Sequence, residues 1–345
     1  MKYRKLGRTN LKVSVLGIGG GAFFEKNKGT EQIKEVVRTG FECGINLIET
    51  AEDYGEEKIA PAIKGIRDEI ILASKSFSSN KKDMERSIRN SLKKMHTTYI
   101  EIYMMHTVDS IESLKFRFDH GALDALKEAK QKGIVDWIGI TGHRIPVLIE
   151  AVKTNEFDVV EVPYCIGAHE TEKLFDYTKK YKVGVIAIRP LGGGILIDRN
   201  KKVQFMNVRN ALRYVISNPN ISSALVGVSS AQHMRENIEA IKSDHISPSE
   251  RRKIEKKVEE FLGKNFCRGC LACMPCKLHG WKFPIDQFLR MEVFYFKYGI
   301  KGVESEYKEG LSVSTCKKCG ECERNCPYGV NIIKKLERLA KIFGE

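Results

Sequence analysis

Between residues 13 and 242, short apolar runs alternate eight times with helical stretches. The strand-like runs are VSVLGIG (13–19), INLIETA (45–51), IILASK (70–75), YIEIYMMH (99–106), DWIGIT (136–141), FDVVEVPY (157–164), VGVIAIRPL (183–191) and SALVGV (223–228). Apolar runs of this kind suit strands of a parallel sheet covered by helices. Segments such as EQIKEVVRTGFECG and GALDALKEAKQKG lie between them, and many close on a glycine before the next strand, as helix ends do. Eight strand–helix units in about 230 residues fit a (β/α)8 barrel better than an open doubly wound sheet.

The predicted fold class is therefore α/β: a (β/α)8 TIM barrel over residues 1–245, a linker helix over 246–264, and a small, mainly α-helical domain over 265–345, whose cysteines, taken up next, make it ferredoxin-like and iron–sulfur binding. The linker reads SPSERRKIEKKVEEFLG, with Ser247 as cap, Pro248 in the first turn and Gly263 as stop. Beyond it, DQFLRMEVFYFKYG and NIIKKLERLAKIF are helices expected to pack the small domain.

Eight of the ten cysteines fall in that last segment, as CRGCLACMPC and CKKCGECERNCP. A disulfide framework needs an oxidising compartment and usually a small secreted chain. Structural zinc uses two well-separated pairs of thiolates. The second group instead matches the bacterial ferredoxin run C-x2-C-x2-C-x3-C-P in full; the first is one residue shorter and has Lys277 in place of proline. A [4Fe–4S] cube presents four irons. A short loop supplies three thiolates, and the fourth comes from the other group. The spacing thus predicts one cluster on Cys267, Cys270, Cys273 and Cys326, and another on Cys316, Cys319, Cys322 and Cys276. Gly269 and Gly320 suit tight turns that aim backbone N–H groups at sulfur. Cys43 and Cys165 are expected to be buried small hydrophobes.

The formal charge is +14 over 345 residues, and residues 251–345 alone carry a balance of +8. This is either a solvated surface or a docking face for an acidic protein such as a ferredoxin or flavodoxin. No nucleic-acid motif accompanies the charge. The N-terminal MKYRKLGRTN lacks an apolar signal core, and no run reaches the ~18 apolar residues of a membrane span. A cytoplasmic protein is expected.

In such barrels the chemistry sits at the C-terminal ends of the strands. Those ends present Glu49, Lys75 and His106, with Tyr54 in the loop after the second strand. NLIETAEDYG, IILASK and IEIYMMH resemble three signature segments of the aldo/keto reductase family, in the subgroup with a C-terminal ferredoxin-like two-cluster domain. KYRKLGRTNLKVSVLGIGGG is similar to that family's N-terminal hairpin and first strand, and GVIAIRPLGGG and SALVGVSSAQHMRENIEAI to its seventh and eighth units.

The resemblance implies an oxidoreductase acting on a small-molecule carbonyl. It implies Tyr54 as general acid, Lys75 as the cation lowering its pKa, an acidic partner for Lys75, and His106 as hydrogen-bond donor to the carbonyl oxygen. The partner position holds Glu49 where the family has Asp. Nicotinamide contacts are implied at Thr141, Gly142 and His143, at Glu161 in place of Gln, and at Ile188 in place of a ring-stacking Tyr. Arg189, Leu191, Gly227, Val228, Ser229, His233, Glu236 and Asn237 complete that set. Gly227 and His233 replace the Lys and Arg that often hold a 2′-phosphate, which leaves NADPH and NADH both open. A flavin also stays open, because a barrel rim holds flavin phosphate without a short signature. Hydride carries two electrons and a cluster passes one, so three readings follow. The clusters relay electrons to the barrel, or they staple the small domain of a nicotinamide enzyme, or the barrel has lost catalysis and the protein carries electrons.

Overall fold

The computed structural model describes residues 1–21, 29–242, 246–300, 303 and 312–345. The described residues form ten strands: β1 (Tyr3–Lys5), β2 (Lys12–Ser14), β3 (Leu16–Gly19), β4 (Leu47–Glu49), β5 (Ile71–Ser76), β6 (Ile100–Met105), β7 (Val135–Thr141), β8 (Val159–Pro163), β9 (Gly184–Ile188) and β10 (Ser223–Val226). β1 and β2 pair antiparallel, and the other eight close a parallel barrel in the order β10-β3-β4-β5-β6-β7-β8-β9. Every apolar run of the sequence supplies one barrel strand. The match is good because parallel strands under helices must be apolar on both faces.

The register sets which side chains point inward. Glu49 pairs with Ala73, Lys75 with Met104, and Thr141 with Glu161. Alternation then puts Leu47, Ala73, Ile102, Met104, Val159 and Ile186 inside, and these form a buried cluster with Leu6 and Val13 of the hairpin. Leu6 closes the end where strands begin: a Cβ on Gly184, the first residue of β9, would stand 2.6 Å from Leu6 Cδ1. Two residues further along β4, β5 and β8 the inward positions turn polar, at Glu49, Lys75 and Glu161. That change marks the opposite, C-terminal end as the reactive one.

The chain separates into two compact units. The first comprises Met1–Val162, Thr171–Ile188 and Asn218–Asp244. The second comprises Pro163–Glu170, Arg189–Ser217 and His245–Glu345, so it takes in segments from the barrel half of the sequence as well as both cysteine groups. The junction expected at residues 245–246 begins at a position outside the described residues.

In the second unit the helix Pro248–Leu262 carries a full capping box between Ser247 and Glu250, and Gly263 ends it. The helices Ile285–Tyr298 and Ile332–Phe343 pack together, and Phe288 and Leu289 of the first and Leu336 and Leu339 of the second are buried. Glu292 is buried between them, and its carboxylate meets Lys335 at 2.7 Å and Arg338 at 2.9 Å. No described helix is long and apolar enough to cross a membrane.

Candidate functional site

At the C-terminal end of the barrel, β5 delivers Lys75 into a ring of acidic and aromatic groups. The ammonium is 2% exposed and ion-paired with Glu49 of β4; it also lies 3.2 Å from Glu161 of β8. It further donates to the Thr50 carbonyl at 3.3 Å. Burial pulls the Lys75 pKa below the ordinary lysine value, and Glu161 works against that shift. Two carboxylates supply the counter-charge a buried ammonium needs. The longer Glu49 side chain still reaches its partner, and its second oxygen accepts from the Gly20 N–H at 3.0 Å. Only glycine fits there, since a Cβ on Gly20 would sit 2.4 Å from the Glu49 carbonyl oxygen.

Tyr54 joins this group from the loop after β4. Lys75 Nζ lies 5.0 Å from the centre of its ring, and the His106 ring stands edge-on to it at 5.8 Å. Acidic side chains pin the loop on both sides of Tyr54. Glu52 accepts from Ser87 Oγ at 2.7 Å and the Phe77 N–H at 2.9 Å, and buried Glu56 accepts from Ser74 Oγ at 2.6 Å. His106 follows β6, is buried, and stacks on Phe77 at 4.0 Å. Burial, with the Lys75 charge beside it, pulls its pKa down to about 2, so the imidazole is neutral at physiological pH.

The residues expected at a nicotinamide are arranged as follows. Glu161 spends one oxygen on Lys75, and its other oxygen, Oε2, is buried with no hydrogen-bond partner among the described residues. Thr141 fastens the loop after β6, its Oγ1 accepting from the Thr107 N–H at 2.9 Å. Asp109 grips His143 through the backbone N–H at 2.5 Å and Nδ1 at 2.8 Å. Burial raises the Asp109 pKa, and the bonds from His143 outweigh it, so the net direction is downward. Gly142 is required by close approach, because a Cβ there would meet the Val108 carbonyl oxygen at 2.7 Å. Ile188 packs against the barrel's apolar cluster. Gly227 is exposed and Val228 buried. Ser229 Oγ and His233 Nδ1 are 2.8 Å apart at the start of the helix Ala231–Lys242, whose Glu236 is exposed and Asn237 buried.

Arg189 and Leu191 fall in the second unit, and Arg189 donates to Asp286 at 3.2 Å. In the same unit the Gly192–Gly194 turn is approached by the cysteine loop. A Cβ on Gly269 would lie 2.5 Å from the Gly192 carbonyl oxygen.

The cysteine segment folds round two cavities. Cys267, Cys270, Cys273 and Cys326 line one; Cys276, Cys316, Cys319 and Cys322 line the other. Each set is three thiols from one stretch and one from the other. Gly269 and Gly320 both have positive φ, at 63° and 75°, and the Gly269 N–H donates to Cys267 Sγ at 3.3 Å. Burial, with neighbouring thiols adding to it, pushes Cys267 up to about 12 and Cys270 and Cys322 to about 11. Four thiols gathered at one cavity suit a polynuclear cation that takes them as thiolates, and four sulfurs match the four irons of a [4Fe–4S] cube.

Sequence reasoning missed Gly20, Phe77, Asp109 and Arg268. Arg268 lines the first cavity, is 4% exposed, and lies over the Tyr328 ring at 4.7 Å. Cys165 is buried as expected, and its thiol donates to the Arg268 carbonyl at 3.3 Å. Cys43, expected inside, is exposed, because it caps the end of the helix Thr30–Glu42.

Comparison with known proteins agrees with this geometry. Residues 15–210 match the aldo/keto reductase family, and residues 266–331 match a 4Fe-4S dicluster domain. A Bacillus subtilis protein named "uncharacterized oxidoreductase YqkF" is 24% identical over 76% of this chain and 99% of its own length. The L-galactose dehydrogenase of Arabidopsis thaliana is 28% identical over 70% of this chain and 88% of its own. Among solved structures, the holo form of a Bacillus halodurans aldo-keto reductase superposes with a TM-score of 0.65 at 25% identity, over 74% of this chain and 96% of that one. The chain is an oxidoreductase that belongs to the aldo/keto reductase family and carries a C-terminal 4Fe-4S dicluster domain.

Proposed function

We propose that the barrel reduces a small carbonyl compound to an alcohol, and that the cluster domain exchanges electrons one at a time with a protein carrier. The observation that carries the first half is the convergence of Tyr54, Lys75 and His106 at the C-terminal strand ends. The second half rests on the two four-sulfur cavities, with Cys267, Cys270, Cys273 and Cys326 holding one [4Fe–4S] cluster and Cys316, Cys319, Cys322 and Cys276 the other.

A nicotinamide, when bound, supplies hydride, which is two electrons and one proton equivalent. The residues fit it: Glu161 Oε2 is a buried acceptor with no donor among the described residues, and a carboxamide N–H2 is the kind of donor it needs. Tyr54 gives its phenolic proton to the carbonyl oxygen as charge develops there. Lys75, beside the ring, favours the phenolate left behind, and Glu49 and Glu161 hold Lys75 in place. His106, kept neutral, donates a ring N–H to the same oxygen, and Phe77 stacked on it limits its rotation. Solvent returns the proton to Tyr54.

The test is carbonyl turnover by anaerobically purified protein over a panel of aldehydes and ketones, with NADH, with NADPH, and with reduced ferredoxin as donors. Tyr54→Phe is expected to lower kcat by about 10²–10⁴-fold while leaving iron content unchanged. Equal turnover by wild type and variant overturns the assigned role of Tyr54.

A further inference from the structure

The second cavity lies beside a surface built for contact. Leu278 and Trp281 are 52% and 57% exposed, the highest values among the described large hydrophobic residues. They stand three residues apart in one loop. The loop is not slack: Cys276 and Gly280 exchange two backbone hydrogen bonds, at 2.8 and 3.2 Å, so Lys277–His279 form a closed turn with Leu278 in it. His279 is tied down in turn by the Thr315 carbonyl at 3.2 Å. Cys276, Leu278 and His279 also line the cavity, and Cys319 of the same sulfur set is exposed. A backbone turn held in this way loses little freedom on binding, and Trp281 follows directly after it.

Charge selects the partner. The cavity lining adds Lys277, Lys317 and Lys318 against one carboxylate, Glu321. Lys282 follows Trp281 and is exposed. Glu321 is engaged by Arg324 at 2.8 Å and stands 3.9 Å from Lys277, while Lys318 pairs with Glu337 at 2.7 Å. Lys277, Lys282 and Lys317 therefore present net positive charge around the apolar pair.

We propose that this face docks an acidic one-electron carrier protein, with Trp281 and Leu278 as the apolar centre and Lys277, Lys282 and Lys317 as the rim. The inference rests on the proposed clusters, and it deepens that reading by naming the entry face. A one-electron carrier exchanges a single electron with a cluster per encounter and must leave before the next one docks. That favours a small, charge-steered contact with fast release over a large permanent one.

The experiment is calorimetric binding of an acidic [2Fe–2S] ferredoxin to the full holoprotein under nitrogen, with iron counted on every sample. Lys277→Glu with Lys317→Glu is expected to weaken binding by at least ~10-fold, and Trp281→Ala by a similar factor. Raising ionic strength from about 0.05 to about 0.5 M weakens wild-type binding further. Lys64→Glu, an exposed change in the first unit, leaves it unmoved. Affinity indifferent to salt and to all three substitutions, with iron intact, overturns the docking face. So does self-association of the chain that Trp281→Ala abolishes, since the occupant is then a second copy. Loss of iron from wild type would instead sink the cluster reading beneath it.

Discussion

Lys75 is the residue on which the barrel site depends. Removing its ammonium leaves Glu49 and Glu161 buried together with nothing between them. Lys75→Met is expected to cost about 3–5 kcal/mol of unfolding free energy in urea at neutral pH, and adding Glu161→Gln to restore part of it. His106 makes a separate prediction. Its folded pKa of about 2 lies below the unfolded value near 6.5. Between those two values the unfolded chain binds one more proton, so stability from this group is complete above pH 6.5 and falls as pH drops. The slope reaches about 1.4 kcal/mol per pH unit. His106→Gln should flatten the acid side of the stability curve by one proton, seen in denaturant midpoints between pH 7 and 5. Glu49, Lys75 and His106 were legible because strand alternation and strand ends are written in the sequence. Asp109, Phe77 and Gly20 were not: each acts through a loop whose path depends on a neighbouring strand.

At the scale of elements, the strands and the capped helix Pro248–Leu262 were readable from periodicity and end signals. What could not be read was which loops meet. Gly269 was expected to turn the chain beneath sulfur, and it does so with a φ of 63°. It also touches the Gly192–Gly194 turn, some 75 residues earlier in sequence, a contact that no local pattern encodes. Gly269→Ala therefore combines an unfavourable backbone conformation with a backbone overlap. It should destabilise the second unit by about 2–4 kcal/mol and lower iron retention after chelator challenge. Gly280→Ala, at φ 59° with no atom near a built Cβ, is the matched control and should cost only about 1–2 kcal/mol.

For the whole molecule, the chemistry divides between units that the chain itself interleaves. Segments Pro163–Glu170 and Arg189–Ser217 belong by sequence to the barrel half, yet they pack with the cysteine-rich end. The division into a barrel and a ferredoxin-like tail was visible in the spacing of cysteines; this interleaving was not, because it comes from contacts across long separations. The balance of +8 over residues 251–345 now has a local focus in the lysines beside the second cavity. Both proposals rest on two cubanes held by crossed sets of cysteines. The direct measurement is iron and acid-labile sulfide per chain in protein purified without air, for wild type and for Cys326→Ala. About eight of each are expected in wild type, and about four in the variant, with Cys316, Cys319, Cys322 and Cys276 still holding their cluster. Zinc in place of iron, or a variant that keeps the full complement, would contradict the account.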